Sequence, residues 1–148
     1  MHEQRYQPFP TEVIDLPSKG HFYPVGSKLS SGQIEVKLMT AREEDILTNQ
    51  NYIQKGIVLD ELVKSLIVSN VNYEDLIVGD KNAILVAARI LGYGKDYTFT
   101  WGGDEYNIDL STIDSKPLNK KLFKKGVNEF DFTLPHSGVN ITFKLLTG

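Results

Sequence analysis

Residues 33–39 alternate, with Ile34, Val36 and Leu38 on one face, and this two-residue period predicts a strand. The period changes at Thr40. Thr40 is a good N-cap, and Glu43 three residues on completes a capping box, so a helix is expected over about 41–49. Glu43, Glu44 and Asp45 fall in its first turns, where the helix dipole favours negative charge. A second helix is predicted from Leu59, Leu62, Val63, Leu66 and Ile67, which form one apolar stripe with Asp60, Glu61 and Lys64 largely outside it. A third is expected behind Asp80 as its cap. Its interior (83–88, then Ile90 and Leu91) is apolar nearly all round, which marks a helix buried on several sides and the central pillar of the fold. Gly92 is expected to end it as a left-handed C-terminal residue. The two-residue period then returns twice. Tyr97, Phe99 and Trp101 alternate, Gly102-Gly103 makes a tight turn, and Tyr106, Ile108 and Leu110 alternate back. Phe130, Phe132 and Leu134 lead through Pro135-His136-Ser137-Gly138 into Val139, Ile141, Phe143 and Leu145. These four strands are expected to make a small antiparallel sheet with one aromatic face against the helices.

Ahead of the first strand, residues 1–32 read as an irregular docking arm. Pro8, Pro10, Pro17 and Pro24 resist regular structure, while Gly20, Gly26 and Gly32 permit sharp turns. Val13, Ile14, Leu16, Phe22 and Tyr23 give the arm apolar anchors. The expected organisation is therefore an arm at 1–32, a mainly helical subdomain at 33–94 and an antiparallel β subdomain at 95–148, packed as one compact α+β domain.

Composition narrows the function. A chain of 148 residues favours one domain or two closely packed subdomains, and 41% hydrophobic with 24% charged residues is near the globular average. The net charge of -3 argues against general attraction to nucleic acid while leaving room for a local basic patch. The absence of cysteine removes disulfides, thiolate zinc sites and cysteine nucleophiles together, and suits a reducing compartment. Residues 1–5 lead into no apolar run, and the longest apolar runs, such as 83–88, are far too short to span a bilayer, so a soluble protein made inside the cell is expected.

No constellation for bond-making chemistry emerges. His2, His21 and His136 have no metal spacing and no nucleophile motif, and read as exposed or loosely hydrogen-bonded. Segment 20–28 has the wrong spacing for a phosphate loop, and Gly92-Tyr93-Gly94-Lys95 follows a helix, at the wrong end of its dipole. Glu43, Glu44 and Asp45 point in different directions on a helix, so a solvated helix start is expected rather than a metal or acid/base site. The connector 114–126 carries Lys116, Lys120, Lys121, Lys124 and Lys125 around Leu122 and Phe123. That patch fits a nucleic-acid backbone, a solvated loop or a docking loop for an acidic partner; the acidic overall balance weighs against nucleic acid. Phe9, Phe22 and Tyr23 are too apolar to be idle, and either close the protein's own core or dock on a partner.

Several segments together resemble the T4-type phage baseplate protein family, the tail baseplate hub components and hub-assembly factors. They are Ile14-Asp15-Leu16-Pro17-Ser18-Lys19-Gly20-His21-Phe22-Tyr23-Pro24, then Met39-Thr40-Ala41-Arg42-Glu43-Glu44-Asp45-Ile46-Leu47, then Val78-Gly79-Asp80-Lys81-Asn82-Ala83-Ile84-Leu85, Ala88-Arg89-Ile90-Leu91-Gly92-Tyr93-Gly94 and the closing Phe143-Lys144-Leu145-Leu146-Thr147-Gly148. The similarity covers most of the chain from residue 14 onward. It implies a non-enzymatic structural or chaperone-like part of a contractile tail's baseplate hub, made in the host cytoplasm and carried in part into the virion or left behind after assembly. It implies other hub proteins as partners, no membrane and no cofactor, and it leaves the oligomeric state open. The contact residues to which this points are Phe9, Phe22, Tyr23 and Arg42, with Lys120, Lys121, Phe123, Lys124 and Lys125 as the rim. Arg42 reads equally well as a salt-bridge partner inside the protein. Relatives of this type often carry a cysteine pair in the first hairpin, where this chain has Trp101-Gly102-Gly103-Asp104-Glu105-Tyr106, so no metal role carries over. Relatives also continue into helical sequence beyond the closing Leu-Thr-Gly, so this chain reads as a short member or a fragment. The alternative function is a small nucleic-acid-binding module using the loop 116–125.

Overall fold

The computed structural model describes residues 9–148. The first eight, with His2 and Pro8 of the expected arm, lie outside the described residues. The class is α+β. In chain order the elements are β1 (Thr11–Asp15), β2 (Gln33–Lys37), α1 (Ala41–Thr48), α2 (Gln50–Lys55), α3 (Val58–Leu66), α4 (Val78–Tyr93), β3 (Asp96–Trp101), β4 (Asp104–Asp109), β5 (Phe130–Thr133) and β6 (Asn140–Phe143). The strands pair as β1-β2, β3-β4 and β5-β6, three separate two-stranded sheets, so the two aromatic hairpins do not join edge to edge. The chain gathers into two compact units, one from 9–14, 34–69 and 84–114, the other from 15–33, 70–83 and 115–148.

In the first unit, β2 buries Ile34 and Val36, as its alternation requires, and Val36 bridges to Ile67 just past α3. β1 lies beside β2. Prolines at 10 and 17 bracket this strand without entering it, so the arm is not irregular throughout. α1 starts behind Thr40 as expected. Asn49 then ends α1 and opens α2, a helix absent from the hydrophobic pattern: its Oδ1 accepts from the N–H of Asn51 (3.0 Å) and of Tyr52 (3.2 Å). Gly56, at φ 68°, stops α2 after two turns. α3 buries Leu62, Val63 and Leu66, while Leu59 on the same stripe is 55% exposed, one turn short of the packed cluster. That cluster joins Leu62, Leu66 and Ala88 with Met39, Ile46, Leu47 and Leu85.

α4 departs from expectation at both ends. It begins at Val78, which leaves Asp80 inside the first turn rather than capping it. It runs through Gly92, and the left-handed break falls at Gly94 (φ 84°), whose N–H donates to the Ile90 carbonyl at 2.8 Å. Its buried positions are Asp80, Ile84 and Ala88, four apart, while Val86, Ala87, Ile90 and Leu91 are half-buried, so it is a helix with one covered stripe rather than an enclosed pillar.

The second unit is built around the former arm. Leu16, Phe22, Tyr23, Leu29, Leu76 and Ile77 are its buried apolar residues. Gly20 (φ 69°) and Gly32 (φ 77°) lie back to back; a Cβ on Gly20 would strike the Ser30 and Gly32 backbone, and one on Gly32 would lie 2.7 Å from the Lys19 carbonyl carbon. Phe22, Phe123, Phe130 and Phe143 form an edge-to-face and tilted chain with centroids 5.3–5.6 Å apart, fastening the base of β5-β6 and the lysine-rich connector to the arm. His21 is buried, its Nε2 donating to the Phe123 carbonyl at 2.8 Å while its own carbonyl accepts from Gly126 N–H at 2.7 Å, which corrects the reading of an exposed histidine.

Candidate interaction surface

Among the described residues two carboxylates, Glu43 and Asp80, are buried, and both are hydrogen-bonded within the fold. Glu43, fully shielded from solvent, takes the Thr40 N–H (2.9 Å) and hydroxyl (2.6 Å) on one oxygen, and the Lys37 ammonium (2.7 Å) and Ser65 hydroxyl on the other. Burial favours its neutral form, but the Lys37, Ser65 and Thr40 donors outweigh burial and hold the carboxyl at about 2. The solvated helix start expected of the acidic cluster therefore holds for Glu44 and Asp45, which are exposed, and fails for Glu43. Its signal was non-local: the compensating groups come from β2 and α3.

Asp80 plays the same part in the second unit. Its Oδ1 accepts from Ser18 N–H (3.0 Å) and its Oδ2 from the Ser18 hydroxyl (2.6 Å) and the Tyr23 hydroxyl (2.6 Å). The Tyr23 oxygen in turn accepts from Ile77 N–H at 3.0 Å. Burial, reinforced by Asp80, pushes the Tyr23 phenol well above its usual range, so it stays a donor. These groups tie the arm to the start of α4, and every lone pair or proton in use is spent within the fold. Among the described residues no buried side-chain polar atom lacks a partner, and no three of His, Asp and Glu converge as a metal ion requires.

What is left unspent is apolar. In β3-β4, Trp101 pairs with Asp104, Phe99 with Tyr106 and Tyr97 with Ile108 around the Gly102-Gly103 turn (φ 62° and 94°). Opposite residues share a face, so these side chains form one aromatic face. Phe99 and Tyr106 stack at 5.6 Å, Tyr97 lies 5.9 Å from Phe99, and the Arg89 guanidinium covers Tyr93 and Tyr97 at 5.1 and 5.6 Å. The face is nonetheless open: Trp101 is 75% exposed, and Tyr97, Tyr106 and Ile108 are 40% exposed or more.

β5-β6 repeats the design. Phe130 faces Phe143 and Phe132 faces Ile141, with Asp131, Thr133, Asn140 and Thr142 on the other side. The Asp131 carboxylate and the Asn140 amide oxygen accept from the hydroxyls of Thr142 and Thr133 across the strands (2.7 and 2.6 Å). Phe132, Val139, Ile141 and Phe143 remain 40–53% exposed. Beside β5 runs a groove of about 390 Å³ lined by Leu122, Phe123, Lys124, Val127, Glu129, Phe130, Asp131, Phe132 and Phe143. A second cavity of about 260 Å³ is lined by Phe22, Tyr23, Pro24, Ser27, Asp75, Ile77, Asn128 and Thr147.

The structure thus sorts the residues proposed for contact. Phe22 and Tyr23 are interior, taking the first of the two roles open to them. Phe123 is half-buried and forms one wall of the groove. Phe9 is 46% exposed, with the Lys37 ammonium 5.5 Å from its ring centroid. Arg42 is exposed and has no ion pair among the described residues. Lys120, Lys121, Lys124 and Lys125 are exposed along the groove's loop, likewise without an ion pair there. Sequence reasoning missed the hairpin faces, although the alternation that betrays them was plain: it had assigned those faces to the core. Comparison with family profiles, with characterised proteins and with solved structures found no match to this chain. No helix among the described residues is long and apolar enough to cross a membrane.

Proposed function

We propose that this protein is a structural or assembly component of a contractile phage tail's baseplate hub, working through protein–protein contacts and without bond-making chemistry of its own. The observation that carries the contact half of this reading is the pair of hairpins whose aromatic faces stand open to solvent. Exposed apolar surface of this extent marks an interaction site in a protein that stays dispersed. The baseplate half comes from the motif resemblance set out above. Other hub proteins are its partners, and its place is the host cytoplasm during assembly and then the tail itself.

The test is genetic and structural. In a phage that encodes this chain, a null allele should yield particles lacking complete baseplates by electron microscopy, and the wild-type gene in trans should restore them. A complementing allele bearing Trp101→Ser with Phe132→Ser should fail although the variant accumulates as folded protein. Normal, infectious tails from the null phage would sink the proposal.

A further inference from the structure

The two open faces carry opposite charge. Residues 95–114, which hold β3-β4, contain Asp96, Asp104, Glu105, Asp109 and Asp114 against Lys95 alone. Lys95 is already engaged with Asp109 at 2.5 Å, so the tip of this hairpin is purely acidic: Trp101, Asp104 and Glu105. Residues 115–148, which hold the groove and β5-β6, contain six lysines against Glu129 and Asp131. Of those lysines Lys124 lines the groove, together with Glu129 and Asp131, and Lys120, Lys121 and Lys125 lie exposed beside it on the same loop. An acidic aromatic finger and an aromatic-lined groove beside a lysine-rich loop therefore belong to the same chain.

We infer that a second copy of this chain is the groove's occupant: the β3-β4 tip of one copy docks in the β5-side groove of the next. Trp101, the most exposed aromatic of that hairpin, is the natural anchor, since a groove of about 390 Å³ has room for an indole ring. Lys124 on the groove wall supplies a cation for its face. Asp104, directly opposite Trp101 in the register, and Glu105 beside it would then meet the lysines of the loop. Pairing two acidic fingers, or two lysine-rich loops, would set like charges together, so the charge pattern selects finger-to-groove pairing. Such pairing closes reciprocally between two copies or, where one finger and one groove stay free, adds further copies. The size of the contact sets its strength. Each hairpin leaves roughly 400 Å² of apolar side chain open, taking whole aromatic and aliphatic side chains at about 150–250 Å². Two such faces together bury less than the roughly 1,200–2,000 Å² of a stable interface, so the association is weak and reversible. This inference does not rest on the baseplate reading; the two surfaces carry it by themselves.

The test is sedimentation velocity on the full chain from about 1 to about 300 μM, the range in which weak contacts of this kind populate. Mass should grow with concentration, and growth should fade as salt is raised well past the physiological range. Two single-sided variants decide the geometry: Trp101→Ser/Glu105→Lys blocks the finger, and Lys120→Glu/Lys124→Glu blocks the groove. Each alone should be monomeric, with unchanged far-ultraviolet circular dichroism. Their equimolar mixture should form a heterodimer that grows no further, because one supplies an intact groove and the other an intact finger. A wild-type chain that stays monomeric throughout overturns the inference. So does a mixture of the two variants that fails to pair, or a monomer whose groove binds a single-stranded oligonucleotide in place of a second copy.

Discussion

Glu43→Gln is the substitution whose outcome the structure constrains most closely. The folded carboxyl titrates at about 2 against an ordinary 4.5. A gap of that size corresponds to about 3 kcal/mol of stability, at 1.36 kcal/mol for each unit. The folded value is the lower one, so this stability is fully present above pH 4.5 and is lost as pH falls through about 2. Replacing the carboxylate by an amide at neutral pH leaves Lys37, only 15% exposed, without its counter-charge, and places an N–H₂ where two hydroxyls, the Thr40 N–H and the ammonium all donate. The expected loss is about 3 kcal/mol, within the range for breaking a buried ion pair from one side. Urea unfolding followed by helical circular dichroism, for wild type and variant at a series of pH values, measures it. The two stabilities should differ fully at pH 7 and converge between pH 4.5 and pH 2, because there the wild type protonates too. Curves that run parallel down to pH 2, or a variant as stable as wild type at pH 7, would refute the electrostatic reasoning.

Three further outcomes follow from the same geometry. Tyr23→Phe removes one donor from Asp80 and the acceptor of Ile77 N–H; both stay buried, so a loss of about 1–3 kcal/mol in urea unfolding is expected, and a loss below about 0.5 would show the hydroxyl to be idle. Gly32→Ala should cost more than Gly56→Ala, both at positive φ, because only Gly32 faces backbone at contact distance; equal melting temperatures would reject the steric account. Trp101→Ser and Phe132→Ser, at 75% and 51% exposure, should change stability by no more than about 0.5 kcal/mol while abolishing association, since neither side chain supports the fold.

Local signals in the sequence were faithful wherever the physics was local. The Gly-Gly turn sets the register of β3-β4, Thr40 opens α1, and the α3 stripe points inward at Leu62, Val63 and Leu66. α2 escaped because its six residues hold only Tyr52 and Ile53 as apolar positions, and Asn49 was taken as the end of one helix rather than also the cap of the next. Asp80 and Glu43 were read by their nearest neighbours, as helix-start residues. Their partners lie 62 and 57 residues away for Asp80, and 22 for Ser65 on Glu43. No window of sequence shows such a pairing.

The deepest misreading has a different cause, and it bears directly on function. Alternation says that a strand has an apolar face; it does not say that the chain itself covers that face. For β2 the inference to burial was right: Ile34 and Val36 are buried, and Val36 bridges to Ile67 just past α3. For β3-β4 and β5-β6 the same pattern yields an open face: Trp101 is 75% exposed and Phe132 51%. Burying Trp101, Phe132, Val139, Ile141 and Phe143 would release free energy of about 25 cal/mol for each Å² of apolar surface, so leaving them in water is costly unless something else covers them in the assembled state. A monomer selected only to fold would replace them with polar residues at no loss to its core. The proposed function therefore rests on association through these open faces rather than on any pocket.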